Sequence, residues 1–227
     1  MRWPAALLGA QPIHKILAVA ERTGMVERIG EFVLTRALED MAKLKTMGFD
    51  ALGLSINLTS KELARKDLAE LICSTLETHG LDASVLEFEI AESVLMRDAQ
   101  QNFAACNRLA RIGATIAVED FGVSGSSLVM LADSPVSRLK LDRRLVGRMG
   151  QNPNSLKSCR AIIAAANELN VKVTAVGVET PDQARYLRDL GCESLQGFVI
   201  ARPMDIDEFP SFAEQTANHR IPTDLTA

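Results

Sequence analysis

Long apolar runs are missing from this chain of 227 residues, and none approaches the roughly 18 consecutive apolar residues needed to cross a bilayer. The opening Met1-Arg2-Trp3-Pro4 has no apolar core of its own, so no secretory signal is expected. Basic blocks are missing as well. The formal charge is -4 and lysine and arginine are dispersed, which leaves no surface built to neutralise a nucleic-acid polymer. One small anionic ligand would not need such a surface. Cysteine is sparse: Cys73, Cys106, Cys159 and Cys192 lie far apart and form no CxxC pair. That argues against a zinc site or a disulfide framework and for reduced, buried thiols in a cytoplasmic protein. No short repeat points to a solenoid. His14, His79 and His219 fall outside every motif below and read as surface or packing residues.

What is present is an alternation of two periods. Residues 26–47 place Ile29, Phe32, Val33, Leu38 and Met41 on one helical stripe, and Gly48 ends that helix. The short apolar run 51–58 reads as a strand. Thr59 or Ser60 can cap the helix that follows, with Glu62 placed for a capping box. Strand-like segments recur at 85–91, 114–120, 137–142, 171–178 and 194–200, each followed by a helical pattern. Repeated β-α units without internal linkers predict one α/β domain with a parallel sheet. About six strands are legible where a closed barrel needs about eight, so either two are missing at the front or the sheet is open.

In β/α barrels the reactive groups gather at the carboxyl ends of the strands. Here those ends carry Asn57, then Glu89 with Glu92 beyond it, then Glu119-Asp120, Lys140 with Asp142, Glu179 and Gln196. Several carboxylates and an amide form a hard oxygen donor set, suited to Mg²⁺ or Mn²⁺ and poor for zinc. A neighbouring lysine suits a phosphate or a nucleophilic water. Together they point to two-metal phosphodiester hydrolysis. Plainer readings stand beside this one. Asn57 could cap the helix that starts near Ser60, and Asp142 the helix from Arg143. Glu87 and Glu89 share a face, and one of them can be a simple salt-bridged side chain. Gly197 reads as a point of close backbone approach. Lys140, in an apolar strand, demands a charged partner, Glu119 or Asp120.

Seven stretches carry a resemblance: RW at 2–3, SINLTS at 55–60, EFEIAES at 87–93, EDFGVSGSSL at 119–128, LKLD at 139–142, VGVET at 176–180 and LQGFVIARPM at 195–204. In this order and spacing they resemble the EAL family of cyclic di-GMP phosphodiesterase domains over residues 2–204. The resemblance implies a TIM-like (β/α) barrel over residues 1–216, followed by a flexible tail at 217–227. It implies Mg or Mn held by Asn57, Glu89, Glu119 and Asp120. It places Lys140 against the attacking water and Glu92 as the brace of the loop after Asp120. Gln196 would lie beside metal and ligand, with Asp120 also facing the ligand and Arg2 on a phosphate of cyclic di-GMP.

The match also breaks at chosen places. The family's Glu-Ala-Leu would stand just before Arg2, so the barrel is expected to be incomplete, its first strands missing from this chain. The family's D-D-F-G reads Glu119-Asp120-Phe121-Gly122, which moves one carboxylate by about a bond length where magnesium demands near-octahedral placement. The family's E-G-V-E reads Val176-Gly177-Val178-Glu179, and valine neither ligates nor accepts a proton. The family's G-T-G-Y-S-S reads Gly122-Val123-Ser124-Gly125-Ser126-Ser127. The expectation is a degenerate EAL domain in cyclic di-GMP signalling: a non-catalytic module that binds the nucleotide or docks on a signalling protein or a second copy. The alternative is an active Mg- or Mn-dependent phosphodiesterase yielding linear pGpG, with Lys140 and Glu92 in catalytic roles. Either way no membrane segment and a cytoplasmic location are expected.

Overall fold

Caps and glycines punctuate this chain where its period changes. The computed structural model describes residues 13–122, 131–132 and 134–218. Helices α1 (Ile13–Thr23) and α2 (Val26–Thr46) lead into β1 (Leu54–Asn57). Then follow α3 (Ser60–Leu63), α4 (Leu68–His79), β2 (Leu86–Ala91), α5 (Glu92–Arg97), α6 (Ala99–Arg111) and β3 (Thr115–Phe121). The second half runs β4 (Arg138–Leu141), α7 (Arg143–Gly147), α8 (Pro153–Glu168), β5 (Lys172–Val176), α9 (Pro181–Asp189), β6 (Ser194–Gln196) and α10 (Phe209–Asn218). Thr59 and Glu62 form the expected capping box, and so do Thr180 and Gln183. Gly80 closes α4 in the left-handed conformation, φ 63°, as its place after the helical run implied. Of the expected tail, Ala217 and Asn218 belong to α10, and residues 219–227 lie outside the described residues.

The six strands are parallel and pair in sequence order, β1 to β6. The sheet curls into a half-barrel with helices on its outer face, the α/β barrel architecture expected. Among the described residues β1 and β6 end the sheet and no strand precedes β1; the first twelve residues lie outside them.

Side chains that bridge strands across an intervening neighbour reveal the curl. Glu87 on β2 accepts from Arg138 Nε on β4 at 2.7 Å, and Glu89 accepts from Lys140 Nζ at 2.6 Å. Both pairs span β3, where Ala117 pairs with Glu89 on one side and Arg138 on the other. Alanine at that point leaves room for long side chains to meet above it. Arg138 also donates to Thr174 on β5 (3.2 Å) and Ser194 on β6 (2.8 Å), while Ser55 on β1 donates to Glu87 (3.1 Å). One polar network inside the half-barrel therefore reaches β1, β2, β4, β5 and β6. Replacing Arg138 by methionine strands Glu87 and is expected to destabilise the fold by about 1–3 kcal/mol in urea denaturation. A loss below about 0.5 kcal/mol, the scale of an ordinary surface substitution, would show that the network does not hold the strands.

The outer face of the sheet makes the main core. Ile56, Phe88, Ile90, Ile116, Val118, Leu139, Leu141 and Val173 pack against Leu34, Leu38, Leu63, Ile72, Leu109 and Ile163 of the helices, all buried. Each such side chain contributes about 1.5–3 kcal/mol when fully removed from water. One expectation fails here. The helical period puts Phe32 on the buried stripe of α2, yet it is 67% exposed. The helix instead buries Val26, Leu34, Leu38, Met41 and Leu44, a face turned away from Phe32 by its packing on β1 and α4.

Candidate functional site

Two residues after each member of the Arg138 network, on the same face, comes a second polar layer nearer the carboxyl ends of the strands. Asn57 follows Ser55, Glu89 follows Glu87, Lys140 follows Arg138, Val176 follows Thr174 and Gln196 follows Ser194. Asn57 is in register with Glu89, and Val176 with Gln196. Asn57 does not cap the next helix; Thr59 does, so the amide of Asn57 remains available at the mouth.

Lys140 and Glu89 are the centre of this layer. They are 5% and 4% exposed and 2.6 Å apart. Lys140 thus has the charged partner its burial demanded, but the partner is Glu89 rather than Glu119 or Asp120. The reason is the curl of the sheet, which lets β2 and β4 meet across the small Ala117. Glu87 takes the plainer role, salt-bridged to Arg138.

Glu119 and Asp120 sit on an irregularity. The register between β3 and β4 shifts between Val118 and Phe121, and Asp120 has φ 56°. Left-handed backbone is uncommon for a residue with a side chain and is frequent where a bulge re-aims groups at a site. Burial raises the carboxyl pKa of Glu119 above the ordinary range, and the nearby charge of Glu89 adds to it, while Lys140 opposes. Between the ordinary value and the raised one, the folded protein keeps a proton that the unfolded chain has lost. Stability from this group therefore falls as pH rises through that window. Glu119→Gln should raise the thermal midpoint at neutral pH, and the gain should vanish below about pH 4, where both states are protonated. An unchanged midpoint at neutral pH would refute the assignment.

Asp142 caps α7 as foreseen, accepting from the Arg144 backbone N–H at 2.6 Å, and it also grips the Arg144 guanidinium at 2.7 Å. Hydrogen bonding from that side chain holds the Asp142 carboxyl below the usual range. Glu92, 1% exposed at the start of α5, has both carboxylate oxygens buried without a hydrogen-bond partner among the described residues. The loop it was expected to brace falls largely on residues 123–130, outside the described residues, as does Arg2. Gln196 is exposed at the end of β6. Burial pushes the thiol of Cys106 up to about 12 and that of Cys159 to about 11, so neither is a nucleophile.

The donor set suits a hard divalent cation by its chemistry: oxygen atoms from Asn57, Glu89, Glu119 and Asp120 on three adjacent strands. No group of three His, Cys, Asp or Glu among the described residues is already drawn together as a metal cluster. A cleft of about 810 Å³ follows the free edge of β1 between α2 and α4, and it meets this layer only through Asn57.

The sequence model of the EAL domain matches residues 1–203. The chain belongs to the EAL domain family. Among the relatives of this EAL domain is the cyclic di-GMP phosphodiesterase NbdA of Pseudomonas aeruginosa. It is 33% identical over 212 residues, which are 93% of this chain and 27% of NbdA. The bifunctional diguanylate cyclase/cyclic di-GMP phosphodiesterase MucR of the same organism is 35% identical over 208 residues, 92% of this chain and 30% of MucR. The chain thus spans less than a third of the length of these curated relatives. The solved structure of the MucR phosphodiesterase in complex with c-di-GMP superposes with a TM-score of 0.87 at 35% identity, covering 92% of this chain and 84% of that one. The EAL enzyme Bd1971, in a form with cAMP and cyclic di-GMP bound, gives 0.85 at 27% identity, covering 92% of this chain and 58% of its own. No helix among the described residues is long and apolar enough to cross a membrane.

Proposed function

We propose that this EAL domain binds cyclic di-GMP without hydrolysing it and passes the bound state on as a regulatory module. The observation that carries the reading is Val176. Thr174, two residues earlier, faces the interior, where it bonds Arg138 and Ser194, so Val176 shares that face and stands in register with Gln196 at the mouth. An isopropyl group there neither ligates nor takes a proton. Glu119, in place of the family's aspartate, alters a second position. The hard donor set of Asn57, Glu89, Glu119 and Asp120 would hold Mg²⁺ or Mn²⁺, which supplies neutralisation of phosphodiester charge when bound. Asp120 and Gln196 would face the ligand, and Arg2 would reach a phosphate. Glu92, whose buried carboxylate has no hydrogen-bond partner among the described residues, would hold the loop that follows β3. The module would act in the cytoplasm through a signalling protein or a second copy of itself.

A second reading, turnover to linear pGpG, is favoured by the retained Lys140–Glu89 pair and by the named activity of the relatives. Calorimetric titration of the purified chain with cyclic di-GMP, in Ca²⁺ and then Mg²⁺, with product analysis of the same samples, separates them. Saturable binding with intact nucleotide is expected. Linear product would overturn the non-catalytic reading, and a folded sample that binds nothing would leave protein docking as the function.

A further inference from the structure

Past the end of β4 the chain places one more carboxylate, Asp142, which the site above leaves aside as a helix cap. Capping aspartates with an arginine nearby are common, and on a surface such ion pairs contribute little. This carboxylate is not on the surface. The Asp142 side chain is 2% exposed and that of Arg144 is 60% exposed, so the guanidinium reaches in from outside and closes over a buried group. Arg144 Nε donates to both carboxylate oxygens, at 3.0 and 3.2 Å. A terminal guanidinium nitrogen donates to Oδ2 at 2.7 Å, and the Arg144 backbone N–H to Oδ1 at 2.6 Å.

The backbone fixes where this happens. The Asp142 N–H donates to the Phe121 carbonyl at 3.2 Å, which ties it to the end of β3 just after the bulge at Glu119-Asp120. The start of α7 is also wedged against the exit of β5: a Cβ on Gly177, φ 79°, would fall 2.6 Å from the Arg143 Cβ. The hydrogen bonds to Asp142 favour the charged form of Arg144, and the nearby Asp120 carboxylate adds to that. Of the carboxylates Glu89, Glu119, Asp120 and Asp142, two therefore already carry a cation of the protein, Lys140 on Glu89 and Arg144 on Asp142.

We infer that Arg144 is a resident cation that limits this mouth to one divalent ion; this builds on the cyclic di-GMP reading above. Two-metal phosphodiester hydrolysis needs two ions about 3.5–4 Å apart, each with oxygen donors of its own. Asn57, Glu89, Glu119 and Asp120 are donors enough for one. A second ion on the β4 side would take Asp142, and it would first have to displace a guanidinium that occupies both oxygens. It would then meet that charge as a repelling neighbour. A guanidinium stays charged and neutralises a phosphodiester, but it activates no water. One ion beside Arg144 suits holding the nucleotide intact.

The test titrates the whole chain with Mn²⁺, without nucleotide, and reads free ion by electron paramagnetic resonance. Wild type is compared with Arg144→Ala, Arg144→Gln, Arg144→Lys and the double variant Arg144→Ala/Asp142→Asn, each checked by thermal unfolding. Wild type is expected to hold one Mn²⁺ per chain. Arg144→Ala and Arg144→Gln free Asp142 and should hold two. Arg144→Lys keeps a cation on Asp142 and should stay at one. The double variant keeps a capping side chain without the carboxylate and should return to one. Wild type holding two ions or none, or folded neutral variants that stay at one, would overturn the inference. Cyclic di-GMP added to the wild type then separates the two readings. One ion with no nucleotide bound would keep the inference and overturn the nucleotide reading, and two ions with intact nucleotide bound would do the reverse.

Discussion

Lys140→Met is expected to destabilise the fold by about 3–5 kcal/mol, because it leaves the Glu89 carboxylate buried without its cation. Both groups are nearly inaccessible, and the contact is 2.6 Å. Glu119, a further carboxylate nearby, makes an uncompensated Glu89 worse. The double variant Lys140→Met/Glu89→Met should recover most of the loss, since removing both charges also removes the cost of dehydrating them. Urea denaturation of the wild type, Lys140→Met, Glu89→Met and the double variant at neutral pH closes the cycle. A double variant as unstable as Lys140→Met alone would show that packing, not the unpaired charge, is responsible, and the pair would lose its place at the centre of the site. The same pair explains how a lysine sits in an otherwise apolar strand: it meets a carboxylate at 2.6 Å.

The second large effect is a gain. Introducing Val176→Glu, alone and together with Glu119→Asp, should raise cyclic di-GMP hydrolysis by about a hundredfold or more over the wild-type chain in Mg²⁺, the usual scale for one positioned acid-base group. The new carboxylate would enter beside Gln196, on the face shared with Thr174 and in the same polar layer as Lys140 and Glu89. It would also add charge to a layer that already holds Glu89 and Glu119, so a lower thermal midpoint should accompany the gain. Product analysis by chromatography reads the first effect and thermal unfolding the second. Hydrolysis that stays at the wild-type level in both variants would show that Val176 is not what separates this domain from a phosphodiesterase.

Most of the architecture was legible in the residues because its signals are local. Thr59 with Glu62, Thr180 with Gln183 and Gly80 announced their caps by residue type and spacing alone. The polar strand ends announced the mouth for the same reason: a strand that exits at its carboxyl end puts its last inward residue there. Asn57, Glu89, Lys140 and Gln196 all fall in one layer of the half-barrel. Three things were not legible. Phe32 fits a helical stripe as well as Leu34 does, and only the angle at which α2 meets β1 and α4 decides which is buried. The bulge at Glu119-Asp120 leaves no mark in the apolar run 116–118 that leads into it. Arg144 reads like any surface arginine until Asp142 is seen buried beneath it.

The sequence by itself determined the family, the succession of strands and helices, and which polar residues end each strand. Those depend on residue type and on spacings of a few positions. Only the tertiary structure decided that Lys140 belongs to Glu89, 51 positions away, that Arg138 ties β4 to β2, β5 and β6, and that Val176 stands in register with Gln196. Those depend on the curl and register of the sheet, which bring together side chains from strands that are not neighbours and which no single segment encodes.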